Sequence, residues 1–307
     1  MSSKALNCRA GGLNLSTPII LASGTWPYES EYWTEEALEG VGAACGKAIS
    51  CEMRKGNSGT RIWETPSGVM NSIGLQNPGA KVFLEHLWPK VKDGARPCIF
   101  NVTVESLEDM EGTLRVLSVL DSGGQVVELN VSCPNVAQGC MAWGQDPKAV
   151  AQVVNKARSL WKGPLWVKLT PQAADLVAVG RSAQEEGADA LVACNTWLGA
   201  AIDPIKGRPV FDRVVAGLSG PAIFPLALRT VWQLCSELSI DVIGCGGVTT
   251  GEDIAAMMMA GASAVQVGVA TFSSLSAPKE MCEELILLME KHHMTSVEQL
   301  KNFARRP

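Results

Sequence analysis

Gln125–Asn135 reads QVVELNVSCPN. Val126–Val131 is a mostly apolar, β-branched run of the kind that forms a strand covered on both faces. The run stops abruptly at Ser132-Cys133-Pro134. An uncharged amide, Asn130, stands near its end, and a thiol follows between a serine and a proline. A buried amide without partners costs about 1–3 kcal/mol. A strand end that carries one beside a cysteine is therefore expected to meet a polar ligand.

Seven further strand cores share this apolar signature: Pro18–Ala22, Ala43–Ile49, Cys98–Val102, Leu165–Leu169, Ala190–Cys194, Asp241–Gly244 and Ala264–Val267. Helical patterns such as Lys148–Leu160 and Leu176–Glu186 lie between them. Asp146 with Pro147 marks one helix start, and Thr250 with Asp253 resembles a capping box at another. Glu39-Gly-Val-Gly, Glu186-Gly-Ala-Asp and Ala260-Gly-Ala-Ser form a weak repeat, each expected to end a helix and turn into a strand through a left-handed glycine. Eight strands in this rhythm predict an α/β fold, a (β/α)8 TIM barrel spanning residues 1–307 as one domain. Leu6–Leu15 reads as an N-terminal β-hairpin. An open doubly wound sheet fits less well, since its glycine-rich first turn is missing. The connections 51–97 and 196–240 exceed what a barrel needs and are expected to be long functional loops at the C-terminal face.

With 307 residues, 47% of them hydrophobic and only 19% charged, the chain can bury a large core. A formal net charge of -5 and the lack of a basic block argue against a nucleic-acid partner. The start has no apolar export segment, and no apolar run is long enough to span a membrane. Ten cysteines occur without any C-x-x-C pair. Most read as small buried hydrophobes, not as metal ligands or disulfide halves, which suits a reducing cytoplasm.

In such a barrel, chemistry gathers where the strands end. Those ends read Ser23-Gly24, Lys47, Asn101, Asn130 with Cys133, Lys168, Asn195-Thr196, Gly246-Gly247 and Gly268. Three asparagines, two lysines and no carboxylate suit a planar, carbonyl-rich anion. The asparagines could each cap a turn and the lysines could be surface residues, but an ammonium inside the strand of Lys168 would be costly without a partner. Gly246-Gly247 and Gly268 follow strands seven and eight, the usual phosphate site of the fold. Cys133, leaving a strand end into a loop, is the candidate proton acceptor.

Asn71–Gly79 (NSIGLQNPG), Glu128–Asn135 (ELNVSCPN), Trp166–Pro171 (WVKLTP), Gly217–Pro221 (GLSGP) and Ile243–Val248 (IGCGGV) together resemble the FMN-dependent dihydroorotate dehydrogenases. The IGLQNPG form and the cysteine resemble the NAD-linked class 1B catalytic subunit. The resemblance implies oxidation of dihydroorotate to orotate in pyrimidine biosynthesis, with Cys133 taking the C5 proton while hydride leaves C6 for the flavin. It implies FMN contacts from Ser23, Lys47, Ala48, Asn101, Asn130, Lys168, Ala193, Gly220, Gly246, Gly247, Gly268 and Val269. It implies substrate contacts from Lys47, Asn71, Ser72, Ile73, Gly74, Leu75, Asn130, Asn195 and Thr196. It also implies a homodimer within a heterotetramer, whose second subunit carries FAD and a [2Fe–2S] cluster and passes electrons to NAD. Val269, Thr103-Val104, Ala216 and Trp26-Pro27 depart from the family pattern. A family flavoenzyme for another dihydropyrimidine, a lyase using Lys168 as a Schiff base and a non-catalytic scaffold stand as alternatives.

Overall fold

Apolar runs buried on both sides form short parallel strands, since each face must be covered by helices or by the opposite wall. The computed structural model describes residues 3–123, 125–132, 134, 135 and 141–305. In it β1 (Ile19–Leu21), β2 (Ala43–Cys45), β3 (Cys98–Thr103), β4 (Val127–Asn130), β5 (Leu165–Lys168), β6 (Ala190–Ala193), β7 (Asp241–Cys245) and β8 (Ala264–Val267) close into a barrel in chain order. All eight predicted strands are present. Helices α1 (Leu107–Leu117), α2 (Pro147–Leu160), α3 (Leu176–Glu185), α4 (Phe224–Glu237), α5 (Gly251–Met259) and α6 (Ala277–Lys291) wrap the outside.

The predicted helix starts hold. Asp146 accepts from Lys148 N–H at 3.0 Å, and Thr250 with Asp253 makes a reciprocal capping box. Each such cap is worth about 1 kcal/mol. Gly187 and Gly261 take φ of +93° and +122°, as the repeat predicts. Glu29–Gly40 departs from it, because only Ser30–Trp33 winds, as a 3-10 turn, and no α-helix precedes Gly40.

The expected strand Ala43–Ile49 is shorter. It ends at Cys45, and Ile49 returns only as a bridge to Val102. Gly46 lies against the Tyr28 hydroxyl, where a Cβ would fall 2.1 Å from the oxygen. The chain bends there and carries Lys47 into the mouth of the barrel.

The hairpin Cys8–Ala10/Leu13–Leu15 closes the barrel floor. Trp166 Nε1, wholly buried on β5, donates to Gly11 O at 2.8 Å, and Gly11 N–H donates to Asp241 Oδ2 at 3.0 Å. A Cβ on Gly11 would sit 2.2 Å from that indole nitrogen, and φ there is +50°. Only glycine fits. Outside the wall, Phe100 meets Phe83, Trp88 and Trp161 edge-on at 5.6, 5.2 and 6.3 Å, contacts worth about 0.5–1.5 kcal/mol each beyond burial.

The two long connections fold onto one another. Ile62–Thr65, Gly68–Asn71, Val215–Ser219 and Trp197–Ala200 pair as a four-stranded antiparallel sheet, with Asn71 opposite Gly217. This sheet walls one side of the mouth.

Candidate active site

Two adjoining cavities lie at the C-terminal ends of the strands. One, about 400 Å³, runs from Ser23 and Lys47 past Lys168 and Cys194 to Gly220, Gly246, Gly247, Gly268 and Val269. The other, about 540 Å³, is lined by Ala48, Asn71, Ser72, Ile73, Gly74, Leu75, Asn101 and Asn130. Ser23, Lys47, Asn71, Ile73, Lys168, Asn195 and Thr196 border both. Volumes of this order suit small organic ligands.

Strand register assembles the second cavity's floor. Asn101 pairs with Glu128 and Thr103 with Asn130 across β3 and β4; Asn130 then pairs with Lys168 across β4 and β5. Since alternate residues share a face, Asn130 and Glu128 both point into the barrel. Asn130 Oδ1 accepts from Ser132 N–H and from Asn195 Nδ2, each at 3.2 Å. Asn195 Oδ1 in turn accepts from Thr196 N–H at 2.8 Å. The two amides thus fix each other, and Asn130 Nδ2 keeps no acceptor among the described residues.

Asn71–Gly79 is anchored, not draped. Asn77, buried, donates from Nδ2 to Ser50 Oγ at 2.7 Å and to Leu75 O at 2.8 Å. Its Oδ1 accepts from Ser50 N–H at 3.2 Å and Gly79 N–H at 2.9 Å. Leu75 sits at φ +56°, a left-handed conformation that costs a branched residue about 1–3 kcal/mol. Asn77 holds it there.

Lys47 Nζ has no acceptor among the described residues. Burial, with Arg61 adding repulsion, pulls its ammonium below the usual lysine range. An anion in the cavity would relieve both effects. At the other end of the first cavity, the N–H groups of Gly246, Gly247, Gly268 and Val269 donate to no described residue, so four backbone donors border one end of it. A ligand with a ring near the lysines and a phosphate at these amides fits the donor set.

Lys168 is 5% exposed and Glu128 0%. Lys168 Nζ donates to Gln266 Oε1 at 2.9 Å and lies 3.8 Å from Glu128 Oε1. Gln266 Nε2 donates to Glu128 Oε2 through a short bond. Asn101 Nδ2 donates to Glu128 Oε1 at 2.7 Å, as does Cys45 Sγ at 3.5 Å. Burial alone would lower the Lys168 ammonium, but its partners raise it well above the ordinary value. We attribute that to Glu128, because burial pushes the thiols of Cys45, Cys194 and Cys245 up and keeps them neutral. A protonated Lys168 disfavours a Schiff-base role, which needs a free amine.

The expectation of a face without carboxylates is thus corrected. Glu128 was legible two residues before Asn130, as the one acid in an apolar strand, and Gln266 stands likewise inside AVQV. Arg54, ion-paired with Glu105, and Gln172 also line the second cavity, and neither lies in a strand-end motif. Ala193 is fully buried in β6 and lines neither cavity, because the following residue, Cys194, takes the inward position. Thr103 turns to Ile49 O and Asp109 Oδ2, away from the ligand space, so that departure leaves the cavities unchanged. Cys133 lies outside the described residues. Among those described, no three His, Cys, Asp or Glu side chains form a metal-binding group, and no helix is long and apolar enough to cross a membrane.

A family model described as dihydroorotate dehydrogenase matches residues 5–289. The chain is 39% identical over 289 residues to the dihydroorotate dehydrogenase B (NAD(+)) catalytic subunit of Porphyromonas gingivalis, covering 94% of each chain. It is 40% identical over 295 residues to the protein of the same name from Citrifermentans bemidjiense, covering 96% of each. The crystal structure of DHODH from Eimeria tenella in complex with ferulenol superimposes with a TM-score of 0.80 at 21% identity, over 99% of this chain and 89% of that one. That last likeness speaks to the fold alone.

Proposed function

The chain belongs to the dihydroorotate dehydrogenase family, and from that premise we propose that it oxidises dihydroorotate to orotate for pyrimidine synthesis. The single observation that carries this reading is the adjoining pair of cavities. One ends in the free N–H groups of Gly246, Gly247, Gly268 and Val269, and the other is floored by the mutually fixed amides of Asn130 and Asn195. FMN, when bound, would supply the acceptor for the hydride leaving C6 of dihydroorotate.

The chain's own residues do the rest. Lys47, with no acceptor among the described residues, and Asn130 Nδ2 offer charge and donor to the substrate carboxylate and ring. Asn71–Leu75, with Asn195 and Thr196, form the surrounding wall. Lys168 presents a protonated ammonium where both cavities meet, the place to balance negative charge gained by a flavin ring. Ser23, Ala48, Asn101 and Gly220 complete the flavin contacts. Cys133 acts as the base, receiving the proton from C5 on its sulfur. The chain works as one barrel domain.

Relatives named as catalytic subunits belong with further subunits. We infer a partner bearing FAD and a [2Fe–2S] cluster that relays electrons to NAD, built around a homodimer of this chain. A cytoplasmic setting accords with eight described cysteines that are all free.

The test is anaerobic mixing of the purified protein with dihydroorotate while the visible flavin band is followed. Bleaching, with orotate as product, is the expected result. A colourless protein that takes up no FMN, or a yellow one that dihydroorotate does not bleach, would sink the proposal.

A further inference from the structure

Lys168 and Glu128 are the only charged residues in the buried set among the described residues. A barrel interior is ordinarily filled with branched apolar side chains, and a buried ion pair is a weak stabiliser next to such packing. Here the pair lies directly beneath both cavities and is tied together by an amide. Gln266 accepts from Lys168 at 2.9 Å through Oε1 and donates to Glu128 through Nε2. Glu128 accepts from Asn101 Nδ2, Cys45 Sγ and Gln266 Nε2, the pattern of an ionised carboxylate.

An ammonium has three donors. One goes to Gln266 at 2.9 Å, and Lys168 borders both cavities, where a ligand can meet the others. Asn101 Oδ1 is also buried without a partner among the described residues. We propose that Glu128 and Gln266 are positioning residues that hold the Lys168 ammonium in place, partly neutralise it, and so set the positive field felt by a bound flavin ring. This rests on the flavin reading above.

Lys168 is faced by Cys45 from β2, Glu128 from β4, Cys194 after β6, Cys245 from β7 and Gln266 from β8. Burial keeps the thiols neutral, leaving Glu128 as the one anion. Its loss would leave Lys168 less balanced. A positive group near a flavin favours the reduced ring, so the midpoint potential should rise.

The experiment measures the midpoint potential of the bound flavin by dye equilibration in the full chain. Glu128→Gln should shift it positive at mildly acidic pH. The excess should fade toward alkaline pH, as an ammonium without its anion gives up its proton sooner. In a Lys168→Gln background the same change should shift nothing, because Glu128 acts through Lys168. A midpoint that coincides with the parent at every pH, or a shift that persists without Lys168, overturns the inference. Should Glu128→Gln not fold, Gln266→Met carries the same test, with a smaller positive shift that again needs Lys168. If the parent chain takes up no FMN, the flavin reading fails and the inference with it. If the parent binds FMN and is bleached by dihydroorotate while the variants leave the midpoint in place, only the positioning role fails.

Discussion

Asn195 Nδ2 donates to Asn130 Oδ1 at 3.2 Å, although one side chain follows β6 and the other ends β4. The bond spans the end of β5 and makes the two amides one unit. Replacing Asn130 with Ala would strip Asn195 of its acceptor and remove a donor from the substrate cavity. Losing one hydrogen bond of a part-buried amide costs about 0.5–1.5 kcal/mol, or roughly two- to tenfold in affinity. Orotate titrations of the flavin spectrum should show a weakening in that range for Asn130→Ala and Asn195→Ala. The double variant should lose less than the product of the two.

Cys133→Ala should retain FMN and still bind orotate, because the amides and glycines that frame the cavities are untouched. Dihydroorotate should no longer bleach its flavin near neutral pH, whereas Cys133→Ser should regain the reaction as pH rises. Stopped-flow absorbance decides the matter. Bleaching of the Ala variant at the parent rate would remove Cys133 from the reaction.

Lys47 predicts a pH dependence with a definite sign. Its ammonium is lowered in the folded protein, first by burial and then by Arg61. The unfolded chain therefore binds more protons between the lowered value and the ordinary one, and Lys47 favours folding more as pH rises through that window. Orotate binding runs the other way, since an anion needs the ammonium. Affinity for orotate should fall on the alkaline side, beginning below the usual lysine range, and binding should be accompanied by proton uptake there. Lys47→Met should bind weakly at all pH and lose the alkaline fall. Calorimetry in buffers of different ionisation enthalpy would measure the proton uptake.

Gly11→Ala should destabilise the fold without touching the cavities. Its Cβ would meet the Trp166 indole at 2.2 Å, on a backbone with φ +50°. Overpacking combined with left-handed strain should cost about 2–4 kcal/mol. A lower thermal midpoint with an unchanged flavin spectrum is the expected result. Trp166→Ala, which empties the same floor, should cost about 3–5 kcal/mol.

Much of this was legible in the chain because the signals were local. Apolar strand runs, the Asp146 and Thr250 caps and the glycine-ended repeat each lie within a few residues, so strand number, barrel class and the strand-end residues could be read directly. What could not be read depended on pairing between distant segments. The sheet joining Asn71 to Gly217 arises because two long connections lie side by side, and nothing in either one announces the other. Glu128 stands as a lone acid in a mostly apolar strand, and its role depends on its partners: Lys168 reaches it from the adjacent strand β5, and Gln266 from β8 only because the barrel closes.

Asn77 carries a consequence for how the protein would respond to its ligand. Its four bonds and the left-handed Leu75 belong to the folded chain before anything enters the mouth. The ordering of that segment is thus settled when the polypeptide folds. Capture of a small anion should then proceed close to lock-and-key, with a modest entropy penalty, a small heat-capacity change and an association rate set mainly by diffusion into the mouth.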